Sequence, residues 1–376
     1  MTTFTAFDHA MMARALRLAE RGLYTTAPNP RVGCVIALDG HIVGEGFHAR
    51  AGEPHAEVFA LRDAGDKARG ATAYVTLEPC SHHGRTPPCA EALVAAGIAR
   101  VVAATTDPFP QVDGRGHAAL EAAGIAVESG LMRDAARELN RGFFSRIERG
   151  RPWVRVKLAT SLDGRVALAD GESRWITDER ARADVMRWRA RSSAIMTGIG
   201  TVLADDPQLT VRLGDEDWFA AEMKGEAAFV PPLRVVLDSH LRIPAGRRVL
   251  DAAAPTLVCC EPEAVARNRH VPPAQVLSVP HHATGLGLAI VLAELAQRGV
   301  NELQVEAGPT LSGALLHLGL VDELLLYLDP GVIGDTGMPA FNLPPLASLD
   351  ARVRFATTDH RMVGDTLRLA LRPKAP

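Results

Sequence analysis

Aromatic residues make up only 5% of this chain, with three tyrosines and four tryptophans in 376 residues. Tyr24 and Tyr74 are the sole tyrosines of the first half, and no tryptophan precedes Trp153. A platform on which nucleic-acid bases stack needs aromatics along a basic groove. Neither is in evidence, since the formal net charge is −3 and only Lys67, Lys157, Lys224 and Lys374 are lysines among 41 basic residues. No net field favours polyanions, so nucleic acid is not an expected partner. Long apolar runs are also missing: nothing approaches the ~18 residues of a membrane span, and the opening Met1–Asp8 has no basic and apolar leader pattern. A cytoplasmic protein without membrane attachment is expected. Cysteine is scarce and odd in number, at positions 34, 80, 89, 259 and 260. A disulfide framework is thereby disfavoured, leaving metal binding or plain burial to account for these residues.

What is present is a globular composition, 47% hydrophobic and 23% charged, in a chain long enough for two cores. Asp8 is positioned to cap a helix in which Met12, Ala15, Leu16 and Ala19 recur at helical spacing, with Gly22 as its stop. Strand-like runs at 32–38, 73–77 and 100–104 alternate with helix-like runs at 53–64 and 89–96, which is an α/β pattern. The charged stretch from Arg146 to Pro152, with Gly150 inside it, separates this half from a second α/β series. That series has strands at 153–158, 194–198, 233–237, 256–260, 302–306 and 323–328, a helix at 286–298 and a loop at 214–229. The expected domains are residues 1–147 and 151–376.

Three pieces of the first half converge on one chemistry. Pro54-His55-Ala56-Glu57 opens a helix, Thr76-Leu77-Glu78-Pro79-Cys80 ends a strand, and Cys89 follows Cys80 after eight residues. One imidazole and two thiolates satisfy three positions of a tetrahedral zinc and leave the fourth for water, the arrangement that catalysis needs. Glu57 is then a proton carrier beside that water rather than a ligand, as in zinc deaminases with an H-x-E and P-C pattern. A two-residue step does not share a helix face, so the metal must lie at the helix start. The competing reading is a structural zinc, which requires a fourth protein ligand such as His82 or His83.

At Thr76-Leu77-Glu78-Pro79-Cys80-Ser81-His82-His83-Gly84-Arg85-Thr86-Pro87-Pro88-Cys89 the sequence resembles the bifunctional deaminase/reductases of riboflavin biosynthesis. Base deaminases of other kinds generally carry a short Cys-x-x-Cys, whereas the long insert with Gly-x-Thr-Pro-Pro is typical of this family. Pro28-Asn29-Pro30-Arg31-Val32-Gly33-Cys34-Val35 is similar to the family's early loop. The second half adds Lys157-Leu-Ala-Thr-Ser-Leu-Asp-Gly164, Ser173-Arg174-Trp175-Ile176-Thr177 and the run from Thr201 to Arg212. Nearly the whole chain is covered. The resemblance implies a cytidine deaminase-like three-layer α/β domain followed by a dihydrofolate reductase-like α/β domain. It also implies one zinc, NADPH and a small phosphorylated pyrimidine substrate, with self-association left open.

Carried over by position, the resemblance implies that Asn29, His48 and His82 meet the base. Ala159, Trp175, Thr201, Asp205 and Ser239 are implied to meet the cofactor, together with the Gly308-Pro309-Thr310-Leu311-Ser312-Gly313-Ala314 turn. Ser173, Arg189, Leu209, Arg212 and Glu306 are implied to meet the substrate. Two positions depart from the family pattern: Phe109 stands where asparagine is common, and Ala307-Gly308-Pro309 replaces a commoner glycine pair. Physically, a strand at 302–306 turning into a helix presents free N–H groups and a positive dipole end to phosphate, and an arginine fork suits a ribose phosphate. The alternative for Arg189 is a place on a solvated helix face, and Trp175 reads equally as core. Lys157 and Glu306 are both candidates for proton transfer during reduction. Cys259 and Cys260, on an apolar strand, read as buried and inert.

Overall fold

The computed structural model describes residues 4–81, 88–110, 112–212, 230–267, 271, 275–282 and 285–374. The chain divides into two compact units, one holding Met1–Gly150 and the other Arg151–Phe219 and Pro231–Pro376. The loop expected at 214–229 lies outside the described residues.

The first unit is a five-stranded sheet between two helical layers. Helix α1 (Ala6–Glu20) leads into the hairpin β1 (Gly33–Leu38) and β2 (His41–Phe47), then α2 (Ala56–Ala64), β3 (Thr72–Val75), α3 (Cys89–Ala95), β4 (Arg100–Ala103), α4 (Arg115–Ala122), β5 (Ala126–Ser129), α5 (Arg133–Leu139) and α6 (Arg141–Arg149). Strand order is β2-β1-β3-β4-β5, with β1 antiparallel to both neighbours and β3-β4-β5 parallel. Period-2 alternation sends Val35, Tyr74 and Val102 to the face covered by Met12 and Ala15 of α1 and Ala136 of α5. It sends Cys34, Ile36, Val75 and Val101 to the face covered by Ala56, Ala60, Ala90 and Leu93.

Asp8 does not cap α1. Thr5 is the N-cap and Asp8 sits three residues on, in a reciprocal capping box with Thr5. The Asp8 carboxylate is drawn inward because it also accepts from Tyr74 and Arg100 at 2.7 Å each. Helix α2, which carries His55 and Glu57 at its start, lies hard against β2: a Cβ at Gly46 would stand 2.3 Å from the Ala56 carbonyl oxygen. Only glycine permits that approach, and it fixes the height of the α2 N-terminus over the sheet.

The second unit is built on a nine-stranded sheet in the order β11-β10-β9-β8-β14-β6-β15-β18-β17. Its elements run β6 (Trp153–Thr160), β7 (Arg165–Ala167), α7 (Glu179–Arg191), β8 (Ala194–Gly198), α8 (Ile199–Asp205), β9 (Leu233–Leu237), β10 (Thr256–Cys260), α9 (Pro262–Arg267) and β11 (Val276–Ser278). They continue through β12 (His281–His282), β13 (Gly285–Leu286), α10 (Leu288–Gln297), β14 (Glu302–Val305), α11 (Pro309–His317), β15 (Glu323–Leu328), β16 (Met338–Pro339), β17 (Phe355–Val363) and β18 (Thr366–Pro373). Strands from β11 to β15 along the sheet are parallel, and the β17–β18 hairpin closes one edge antiparallel. The parallel strands are largely apolar, as sheets covered on both sides require, and the charges buried on them are paired, Arg155 with Glu302 and Glu323 and Arg234 with Asp251. Val154, Val156, Met196, Leu303 and Val305 pack under α10 and α11. Ile195, Val236 and Val258 pack under α8 and α9, and Leu325 and Tyr327 under α7.

Candidate functional site

In the first unit the chain turns twice to bring three soft donors together. His55 is the N-cap of α2 with extended backbone, φ −76° and ψ 166°, so it stands outside the helix and escapes the two-residue spacing that would otherwise separate it from Glu57. Cys89 is the first residue of α3, and Cys80 lies in the segment leaving β3. His55 Nδ1 is 3.2 Å from Cys89 Sγ and 3.5 Å from Cys80 Sγ, and the three donor atoms lie within 4.8 Å of one another. The Cys89 backbone N–H donates to Cys80 Sγ at 3.4 Å. The Cys89 thiol and the His55 ring hold Cys80 well below a free thiol, the direction a metal ligand requires. His83, which the structural-zinc reading invokes, and His82 both lie outside the described residues.

Glu57 is 3% exposed, and its Oε2 has no hydrogen-bond partner among the described residues. Burial pushes its carboxyl up to about 7. A buried carboxylate beside three metal donors, with one oxygen unassigned, suits a group that exchanges a proton with something bound there. Asn29 Nδ2 donates to His48 Nε2 at 3.1 Å, and His48 Nδ1 donates to the Pro54 carbonyl at 3.1 Å. This pair of bonds requires a neutral ring, and burial lowers the His48 pKa in agreement. The His48 ring meets that of His55 edge-on at 5.3 Å, so Asn29, His48, His55 and Glu57 form one cluster.

Sequence reasoning gave no role to Glu78 or Asp107. Glu78, 3% exposed, spends its carboxylate on four backbone N–H groups: Asp107 at 3.2 Å, Gly114 at 3.0 Å, Gly116 at 2.8 Å and His117 at 3.3 Å. Asp107 accepts from Phe109 N at 2.9 Å, and burial raises its carboxyl to about 6. No spacing rule could have exposed Glu78, because its partners are main-chain atoms some thirty to forty residues away.

In the second unit the residues singled out from sequence gather at the carboxyl ends of parallel strands, where open α/β sheets bind ligands. Ala159 lies near the end of β6, Thr201 and Asp205 lie on α8 after β8, Ser239 follows β9, and Glu306 follows β14. Trp175 is 67% exposed with the Arg182 guanidinium 4.4 Å from its ring centroid, which overturns its reading as core. Arg174 lies 3.8 Å from the Asp205 carboxylate, tying the segment of Ser173 and Trp175 to the end of α8. Leu209 has φ 52° and a side chain packed in the core with Ile195 and Val236, so a ligand there would meet its backbone. Helix α11 begins at Gly308, with Pro309 in the first turn. Pro309 has no N–H, so Thr310 and Leu311 supply the free donors of that terminus. Ser312 is fully buried and Gly313 abuts the Asn342 backbone, so both face away from open space, as Ala314, partly buried against the core, also does.

Arg189 is buried rather than on a solvated face. Its Nε and Nη2 donate to the two Glu306 oxygens at 2.7 Å each, and Nη1 donates to the Thr210 carbonyl at 2.8 Å. Burial works to raise the Glu306 carboxyl, but Arg189 and Lys157 outweigh it and hold it down at about 2. Burial lowers the Lys157 ammonium, and its Nζ sits 5.6 Å from the Tyr327 ring centroid. Arg212 is exposed, within electrostatic reach of Arg189 and Glu306. Cys259 and Cys260 are fully buried, with thiols raised by burial, as inert core cysteines should be.

Comparison with known proteins agrees with this division of labour. Residues 5–105 match the cytidine and deoxycytidylate deaminase zinc-binding region, and residues 152–367 match the RibD C-terminal domain. The class is therefore a zinc-binding deaminase domain joined to a dihydrofolate reductase-like domain. The chain is 50% identical to the riboflavin biosynthesis protein RibD of Escherichia coli (strain K12), over 97% of this chain and 99% of that one. It is 45% identical to the Haemophilus influenzae protein of the same name over the full length of both. A solved structure of Acinetobacter baumannii RibD superposes with a TM-score of 0.88 at 44% identity, covering 98% of this chain and 99% of that one. A Thermotoga maritima structure, described as a diaminohydroxyphosphoribosylaminopyrimidine deaminase/5-amino-6-(5-phosphoribosylamino)uracil reductase, gives 0.84 at 32% identity, over 98% and 99%. The chain belongs to the RibD family of riboflavin biosynthesis proteins.

Among the described residues, no helix is long and apolar enough to cross a membrane.

Proposed function

We propose that the chain performs two successive steps on one small phosphorylated pyrimidine. The first unit hydrolytically removes the 2-amino group of 2,5-diamino-6-ribosylamino-4(3H)-pyrimidinone 5′-phosphate. The second reduces the ribosyl side chain of the product to ribityl with NADPH. The observation that carries this reading is the convergence of His55, Cys80 and Cys89 around one point beside the buried Oε2 of Glu57, which has no partner among the described residues. Both substrates are soluble anions, and the cytoplasm is the compartment we assign.

The donor set fits zinc. One imidazole and two thiols of which one is already acidified make a three-ligand site, and no fourth protein donor joins it among the described residues. Bound there, zinc supplies a Lewis acid that brings the pKa of a water to about 7. Glu57 would take a proton from the attacking water and return it to the ring nitrogen and the departing amine, so water is consumed and ammonia leaves. A carboxyl poised near neutrality can do both. Asn29, with its amide turned to the neutral His48, and His82 by family position, orient the base.

For reduction, the cofactor carries the hydride and the protein aligns it with C1 of the sugar. The open space beside Gly200 and Gly308, where a Cβ would meet nothing within 4 Å, leaves room for the dinucleotide's phosphates at the α11 terminus. Thr310 and Leu311 offer the N–H donors; Ala159, Trp175, Thr201, Asp205 and Ser239 surround the remainder. Arg212 and Ser173 face the substrate phosphate. Arg189 is committed to Glu306 and thereby fixes that carboxylate against Lys157. Lys157, its ammonium weakened by burial, is the proton donor to the opening sugar ring.

Product analysis tests both halves together. Supplied with the diaminopyrimidine alone, the protein should release ammonia and stop at the ribosylamino product; with NADPH added, it should deliver the ribityl compound. Ribityl product retaining the 2-amino group would refute the order of steps.

A further inference from the structure

Glu78 sits two residues before Cys80, and its side chain reaches past α3 in sequence to the start of α4. Oε1 accepts from Gly116 and His117 and Oε2 from Asp107 and Gly114, at 2.8–3.3 Å. All four hydrogen-bond partners of this buried carboxylate are backbone donors, and two of them belong to the first turn of α4, while the Asp107 carboxylate lies within electrostatic reach. The helix dipole favours negative charge there. The contact between the two segments is also close: a Cβ on Gly116 would stand 1.9 Å from the Pro79 carbonyl oxygen and 3.0 Å from Glu78 Oε1.

The same short segment is pinned on its other sides by main chain. Glu78 N donates to the Thr105 carbonyl at 2.9 Å, Thr76 N to Gly33 at 3.1 Å, and Ala90 N to the Cys80 carbonyl at 3.1 Å. Pro79 contributes no N–H to compete for the Glu78 oxygens. Cys80 thus hangs from a residue clamped between the α3 start, which carries Cys89, and the loop that runs from Thr105 through Asp107 and Phe109 to Gly114.

Resting on the zinc-deaminase reading of the first unit, we infer that Glu78 is a positioning residue: its four-donor clamp sets both the place of the Cys80 sulfur and the place of the 107–114 loop beside it. A carboxylate is specifically required. In Glu78→Gln one end of the side chain becomes an NH2 facing two N–H groups, and that half of the clamp opens. In Glu78→Asp the charge remains but the reach is one methylene shorter.

If Glu78 served only to cap α4, its loss would lower the melting temperature without altering zinc retention in the folded protein. The clamp predicts more. Groups that orient a metal ligand typically change metal affinity or activity about 10- to 100-fold when removed. Zinc release from the whole chain is to be followed with a coloured chelator, at a temperature where near-ultraviolet circular dichroism shows the wild-type fold. Glu78→Gln should release zinc about 10- to 100-fold faster than wild type and raise the deaminase KM, with NADPH-dependent reduction by the same chain unchanged. Glu78→Asp should fall between the two. Release and KM within twofold of wild type in a folded Glu78→Gln chain would overturn the inference. Should Glu78→Gln fail to fold, Glu78→Asp decides the matter by the same two readouts. A wild-type chain that holds no zinc would instead count against the metal site itself.

Discussion

Arg189 and Glu306 form a two-pronged ion pair, Nε to Oε1 and Nη2 to Oε2 at 2.7 Å each, between α7 and the end of β14. Both side chains are largely sheltered, with exposures of 9% and 14%. Removing one partner of such a pair strands the other charge, at a cost of about 3–5 kcal/mol. Arg189→Ala should therefore destabilise the second unit by that order in chemical denaturation and abolish reduction, while deamination continues in the first. A loss under 1 kcal/mol would show that the pair is dispensable to the fold.

The same pair predicts a pH dependence. The folded-state pKa of Glu306, about 2, lies below its ordinary value of 4.5, so the unfolded chain binds the proton more readily. The contribution to stability is fully present above about pH 4.5 and is lost as pH falls toward about 2. Acid unfolding of the second unit should lose that slope in Glu306→Gln. An unchanged slope between pH 4.5 and 2 would place the acid sensitivity elsewhere, for instance at Asp251, held near 2 chiefly by its hydrogen bond from Arg234.

Much of this molecule is legible in sequence, and the illegible parts have a common cause. The parallel strands at 194–198, 233–237, 256–260 and 323–328 are bounded apolar runs, and the structure places them at those residues. The fold class, the family and the convergence of His55, Cys80 and Cys89 likewise follow from motifs whose partners are side chains. Asp8 reads as the cap of α1, whereas Thr5 caps it in a local box with Asp8; what the sequence does not show is that the Asp8 carboxylate also accepts from Tyr74 and Arg100, contacts that form only once β3 and β4 are in register. Arg189 looks solvated within a run of arginines, and only the arrival of β14 supplies Glu306 to bury it against. Glu78 is read as part of a cysteine motif, whereas its partners are backbone N–H groups that no residue pattern records.

Zinc content gives the most direct check of the first unit. Elemental analysis of the purified chain should find about one zinc, since one imidazole and two thiolates close three of four tetrahedral positions. A strong chelator should abolish deamination and leave NADPH-dependent reduction intact, because the metal donors all lie before Gly150. Active deaminase free of zinc and other transition metals would sink the metal assignment.

Arg212 is exposed within electrostatic reach of the Arg189–Glu306 pair, and it is the residue proposed to read the substrate phosphate, since the Arg189 fork is already occupied. Arg212→Ala should weaken use of the phosphorylated substrate in reduction by about 2–4 kcal/mol, the scale of a charge-assisted contact. Deamination should be unaffected. Comparison with the dephosphorylated substrate isolates the effect: if that compound loses as much, Arg212 does not read the phosphate.

Glu57 offers the sharpest test of the deaminase reading. Glu57→Gln preserves shape and hydrogen-bonding length, and leaves His55, Cys80 and Cys89 in place to hold zinc. What it removes is the ability to take a proton, from a carboxyl that burial has brought to about 7. Deamination should fall by the 10²- to 10⁴-fold characteristic of general acid–base groups. Reduction of the already deaminated intermediate should continue at the wild-type rate, because that site begins beyond Gly150 and uses no metal. A different outcome is expected if Glu57 is merely an acidic residue in the first turn of α2. Such a charge contributes about 0.3–1 kcal/mol to stability, and its removal would leave the turnover of folded enzyme nearly unchanged. The measurement that separates them is deaminase rate per bound zinc, mutant against wild type. A ratio within about threefold removes Glu57 from the chemistry, and a loss of two or more orders of magnitude with zinc retained assigns it the proton.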